Sequence, residues 1–154
     1  MKVIFLDIDG VLNTTNTFRL RKEEYKKTGK YRLAIDEYRV EYLKRIIDES
    51  GAKIVLTSAW RRSFKKEMTR IVSLDEKAQK LQNLFSKYDI EIYDITSVDS
   101  FDINREKQIK EWLERKDNIE TYIIIDDELC IYKDLTDRVI KNKFIILNKK
   151  DILK

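Results

Sequence analysis

The chain has 154 residues, with three Gly, no Pro, no His and one Cys, and 39% of its residues are charged. That length suits one domain, and the missing His excludes an imidazole base, a Ser-His-Asp triad and an HExxH zinc site. A single Cys excludes an intrachain disulfide or Cys-rich zinc cluster, and three scattered glycines (Gly10, Gly29, Gly51) exclude a P-loop or G-x-G-x-x-G turn.

Taken in chain order, the apolar run 3–6 is short and continuous rather than alternating, as in a central parallel strand covered on both faces. An aspartate at position 7 ends any hydrophobic signal region, no apolar run approaches the length of a membrane span, and a cytosolic location is expected. Residues 13–35 fit neither the helical nor the strand period and are dense in Arg, Lys and Tyr. The stretch 36–50 carries a helical stripe of Val40, Leu43, Ile46 and Ile47, with Asp36 placed to cap its start and Gly51 at its stop. A second strand is expected at 54–56. A helix follows at 75–87, with a stripe of Leu81, Leu84 and Phe85 after a capping Asp75, then a strand at 90–95, a helix at 103–116 with Ile109, Trp112 and Leu113 inward, and strands at 122–125 and 144–147. Alternating strands and helices imply βαβ units with right-handed crossovers.

Three of these strands end in polar groups. The first runs into Asp7-Ile8-Asp9-Gly10-Val11, the second into Thr57-Ser58, and the strand at 122–125 into Asp126-Asp127. Ligands of parallel α/β sheets gather outside the carboxyl ends of strands, so these groups meet on one rim. The set suits phosphoryl transfer. A carboxylate approaches a negatively charged phosphoryl group only once a metal neutralises the repulsion, and Mg²⁺ takes one or two carboxylates with water and phosphate. Asp7 and the Asp126-Asp127 pair would supply those ligands, Asp9 would handle the proton, and Thr57 with a cation would bind the remaining phosphoryl oxygens.

In this order, Asp-x-Asp-Gly-Val, strand-Thr, a cation on a helix, and strand-Asp-Asp resemble the haloacid dehalogenase (HAD) superfamily of aspartate-nucleophile phosphatases. Within it, Thr57-Ser58-Ala59-Trp60-Arg61 and Arg105-x-x-Gln108-Ile109-x-x-Trp112-Leu113 resemble HAD domains associated with RNA repair. The resemblance implies a three-layer, Rossmann-like α/β sandwich around a parallel sheet, forming one domain over 1–154 with a minimal, flap-type cap at 13–35. It implies Asp7 as nucleophile and Asp9 as general acid, then base, its backbone carbonyl also reaching the metal. Thr57 would bind the phosphoryl group, helped by Ser58, and Asp126 and Asp127 would complete the Mg²⁺ site. Where the family usually has a Lys, this chain has Arg105, with Lys107 two residues on. Arg61 and Gly10 are further candidates for the substrate side.

Net charge is +4 but uneven: residues 1–72 hold 17 Lys/Arg against 10 Asp/Glu, and residues 73–154 hold 15 against 18. Segment 18–32 alone has seven cations and two acids, with Phe18, Tyr25 and Tyr31 interleaved. Such a flap suits an anionic substrate larger than one phosphate, and rings beside cations suit stacking on a single strand. Arg61, Arg62, Lys65, Lys66 and Arg70 would extend the patch. The expected activity is Mg²⁺-dependent phosphomonoester hydrolysis on nucleotides or nucleic-acid ends. The alternatives are a small-metabolite phosphatase and a phosphate-binding module without turnover. A solvated amphipathic helix at 18–32 and an inert, apolar role for Cys130 are the plain structural readings.

Overall fold

The computed structural model describes residues 1–98 and 104–141. In chain order they form β1 (Lys2–Leu6), α1 (Thr15–Thr28), α2 (Glu37–Ser50), β2 (Lys53–Leu56), β3 (Phe64–Glu67), β4 (Arg70–Ser73), α3 (Glu76–Lys87), β5 (Ile92–Ile95), α4 (Arg105–Glu114), β6 (Thr121–Asp126) and β7 (Val139–Lys141). Short 3₁₀ turns lie at Ala59–Ser63, Leu129–Ile131 and Thr136–Arg138. The strand expected at 144–147 lies outside the described residues.

Five parallel strands make the central sheet in the order β5-β2-β1-β6-β7. Alternation along each strand sorts the core into two layers. Ile4, Leu6, Ile54 and Leu56 pack with Val40, Leu43 and Ile46 of α2 and with Leu81 and Phe85 of α3. Val3, Phe5 and Val55 face the other way, onto Ile109 and Trp112 of α4. The Phe5 and Trp112 rings meet edge to face at 5.3 Å. The result is a three-layer, Rossmann-like α/β sandwich.

The chain runs outward from β1 to β2 and β5, then crosses back over α4 to place β6 on the opposite side of β1. That reversal opens a crevice at the carboxyl end of β1. Backbone pairing continues one residue past the strands: the N–H of Asp7 donates to the Ile125 carbonyl (2.9 Å), Thr57 to Leu6 (2.9 Å) and Thr96 to Leu56 (3.1 Å). Asp7 and Thr57 are thereby pinned side by side on the rim.

Three departures from the sequence reading have physical causes. Residues 15–28 of the irregular stretch are helix α1, closed at its start by a capping box of Thr14 and Thr17. It shows no apolar stripe because Thr17 is its one buried residue. Asp36 begins α2 without a side-chain capping bond. Its carboxylate instead accepts from the Thr17 hydroxyl (2.8 Å) and pairs with buried Arg39 (3.4 Å), fastening α1 to the core. Residues 64–73 form the β3–β4 hairpin, turned by Met68 at φ 53°. This breaks up the expected basic patch: Lys66 turns to Asp94 (2.9 Å) and Lys65 pairs with Glu67 (2.5 Å). Elsewhere the cues match, with Asp75 accepting from the Ala78 N–H (2.8 Å) and Gly51 closing α2 at φ 68°.

Candidate active site

Two elements bring the acidic groups together. The chain leaves β1 through Asp7, and β6 ends at Asp126 with Asp127 beyond it. Asp7 and Asp126 are buried, Asp127 is half-buried, and one carboxylate oxygen of each lies within 4.8 Å of the others. Gly10 makes the approach of the two loops feasible. It sits at φ 79°, and a Cβ there would come within 2.2 Å of Asp127 Oδ2.

Arg105, at the start of α4, faces this cluster. Its Nη1 donates to Asp126 Oδ2 and stands 3.5 Å from Asp7 Oδ1. Asp126 also accepts from the Tyr132 hydroxyl (2.7 Å) and the Glu128 N–H (2.9 Å), so both its oxygens are engaged. Neighbouring Glu106 accepts from the N–H groups of Lys133, Asp134 and Leu135, tying α4 to the loop beyond β6.

The electrostatics follow from burial. Desolvation pushes the Asp7 carboxyl up to about 7, the charges of Asp126 and Asp127 push the same way, and Arg105 opposes them. Burial and Asp126 also raise Asp127. Burial works against the Arg105 charge, but Asp7 and Asp126 outweigh it and hold the guanidinium above its ordinary value. Three carboxylates against one guanidinium leave negative charge uncompensated, and an all-oxygen donor set fits a hard divalent cation.

Asp9 is exposed and held at both oxygens: Asn13 Nδ2 donates to Oδ1 (2.9 Å) and Trp60 Nε1 to Oδ2 (3.0 Å). Asn13, fully buried, also accepts from the Gly10 N–H (2.9 Å) and donates to the Ala34 carbonyl (3.0 Å). Thr57 is fully buried and its hydroxyl has no hydrogen-bond partner among the described residues, a costly state that a phosphoryl oxygen would relieve. The Ser58 hydroxyl accepts from the Trp60 N–H (3.3 Å).

Two candidates from the sequence lie apart from this cluster. Lys107 is exposed on α4 and its ammonium stands 3.8 Å from Glu111. Arg61 is buried and donates to the carbonyls of Ser97, Thr57 and Ser58 and to Gln108 Oε1 (2.8–3.0 Å), clamping the turn after β2 to β5 and α4. Asn13 and Tyr132 escaped the sequence reading as site residues, since an amide or a ring at such positions reads equally as core. Cys130 is exposed rather than packed as a small apolar residue.

Above these groups opens a cavity of about 350 Å³, lined by Asp7, Asp9, Asp127 and Arg105 below and by Thr14, Thr15 and Phe18 of the α1 end. Residues 3–151 match the family model of the HAD domain in Swiss Army Knife RNA repair proteins. The chain belongs to that family. It is a HAD-type hydrolase by kinship, and its acidic cluster is where such a domain would take a metal. No curated protein and no solved structure matches it. Among the described residues, no helix is long and apolar enough to cross a membrane.

Proposed function

We propose that the protein is a Mg²⁺-dependent phosphomonoesterase with Asp7 as nucleophile, acting on phosphorylated RNA ends. The observation that carries this reading is the buried Asp7 at the tip of β1, flanked by two more carboxylates, by Arg105 at 3.5 Å and, at the end of the adjacent strand, by Thr57, whose hydroxyl has no partner among the described residues. A binding module has no use for a nucleophile beside a second, separately held carboxylate, Asp9, placed to handle a proton.

Asp7, Asp126 and Asp127 would hold the cation, with the Asp9 carbonyl as a further ligand. Bound Mg²⁺ would neutralise phosphoryl charge so that a carboxylate can approach. Thr57 and Arg105 bind the phosphoryl oxygens. The Asp7 carboxylate attacks phosphorus, the bond to the leaving oxygen breaks, and Asp9 gives that oxygen its proton. Water then attacks the aspartyl-phosphate, Asp9 takes the water proton, and phosphate departs with Asp7 restored.

The RNA end as substrate is supported by the family's RNA-repair description and by Arg21 and Lys22 of α1, which line a second cavity that shares Phe18 with the first. Release of phosphate from an aryl phosphate, with Mg²⁺ or EDTA, tests the chemistry. Turnover that depends on metal and vanishes in Asp7→Asn is expected, and activity surviving that substitution overturns the mechanism. For the substrate, affinity for a phosphorylated RNA oligonucleotide falls steeply with salt, whereas that for a mononucleotide changes little. A flat salt response for the oligonucleotide overturns the RNA assignment.

A further inference from the structure

A second cavity, of about 310 Å³, adjoins the catalytic one. Phe18 lines both, and Trp60 links them: its ring walls the second cavity while its Nε1 holds Asp9, which lines the first. Its other aromatic walls are Tyr25 of α1 and Tyr31 of the segment after it. Phe18, Tyr25 and Tyr31 are 46%, 53% and 51% exposed, unusual for rings gathered around a single hollow.

Cations surround these rings. Lys77 Nζ lies 3.6 Å from the Trp60 ring centroid and Lys80 Nζ 4.5 Å from that of Tyr31. Arg21 and Arg32 share the carboxylate of Glu24, so that pair of guanidiniums keeps a surplus positive charge, to which Lys22 and Lys77 add. No carboxylate is among the described residues that line it. Exposed rings edged by surplus cations suit a π-face flanked by phosphates.

We infer that this cleft is a base-stacking subsite, which takes the unpaired nucleotide next to the phosphate being removed and so selects single-stranded RNA ends. The inference rests on the phosphatase reading for which phosphate is meant, and it deepens that reading. The phosphate enters the acidic cavity beneath Phe18, the adjoining base enters between Tyr25 and Tyr31, and the lysines meet the next phosphates. A base stacked against Phe18 also closes the cavity to bulk water.

The test is binding without turnover. RNA dodecamers carrying a phosphate at either the 5′ or the 3′ end, and a fluorophore at the other, are titrated with the protein in EDTA and followed by anisotropy. Each is compared with a dodecamer made abasic at its two phosphate-proximal nucleotides. Wild type is expected to bind at least one intact end about tenfold or more tightly than its abasic counterpart. The double variant Tyr25→Ala, Tyr31→Ala is expected to lose that difference, and Tyr25→Phe, Tyr31→Phe to keep it. Equal wild-type affinity for intact and abasic RNA at both ends overturns the subsite, as does discrimination that persists in the alanine variant. Phosphate release from the same oligonucleotides with Mg²⁺ separates the two readings. Release without base discrimination overturns the subsite alone, and discrimination without release overturns the phosphatase reading alone.

Discussion

Two buried carboxylates stand near the carboxyl edge of the sheet and meet opposite fates. Asp94, on β5, accepts from Trp112 Nε1 (3.1 Å), Lys66 (2.9 Å), Lys116 (3.1 Å) and the Ile95 N–H (3.0 Å). Burial favours its neutral form, but the two ammoniums prevail and hold it below the ordinary carboxylate range. Asp7, on the loop after β1, has one guanidinium shared with Asp126 and two acids for neighbours, and burial lifts it to about 7. A paired buried charge strengthens the frame, whereas an underpaired one marks a position kept for chemistry at a cost in stability.

The largest expected effect tests the Asp7 side of this contrast. Asp7→Asn lowers aryl-phosphate turnover by at least about 10³-fold, read as phosphate release. The same substitution stabilises the protein in EDTA at pH 8. A carboxyl raised from 3.8 to about 7 in the fold costs up to about 4 kcal/mol above that pH, and the cost fades as pH falls from about 7 toward 3.8. The gain in thermal midpoint therefore shrinks at pH 5, and a midpoint unchanged or lowered at pH 8 breaks the comparison.

Arg105→Ala comes next, lowering kcat/KM about 10²- to 10³-fold if the guanidinium binds the phosphoryl group. Loss of folding without loss of specific activity in the folded fraction would make it a strut instead.

On the other side of the contrast, Asp94→Asn leaves Lys66 and Lys116 without their carboxylate. It destabilises the protein by about 2 kcal/mol in a urea titration, discounted for the partial exposure of both lysines, with kcat nearly unchanged. The pH dependence has the opposite sign to that of Asp7. With its folded value depressed, Asp94 contributes stability above its ordinary 3.8, and this is lost as pH falls through the lower folded value. A wild-type advantage over Asp94→Asn that grew below pH 3 would contradict that pairing.

Trp60→Phe makes the smallest change. It keeps the ring but removes the donor to Asp9 Oδ2, and kcat falls about tenfold with KM little moved. A rise in KM alone would assign Trp60 to the cleft rather than to Asp9.

Four of the five sheet strands were legible in the sequence, because buried parallel strands read as apolar runs and their polar ends name the rim: Asp7, Thr57 and Asp126 with Asp127 were all visible there, whereas β7 was not. The sequence also located Gly51 and Asp75, whose roles are local to one helix end. Tertiary structure alone decided the rest. Arg105 and Lys107 are equally cationic in sequence, yet helix direction turns Arg105 to Asp7 and Asp126 and leaves Lys107 beside Glu111. Arg61 looked like a phosphate ligand and became a clamp, because Ser97 and Gln108, distant in sequence, close around it. Helix α1 was legible only as the plainer alternative at 18–32, since it buries almost nothing, and its site-facing end depends on Thr17 meeting Asp36 across 19 residues. Strand patterns and caps are short-range and survive in one dimension, whereas charge pairing is settled by which side chains the crossovers bring together.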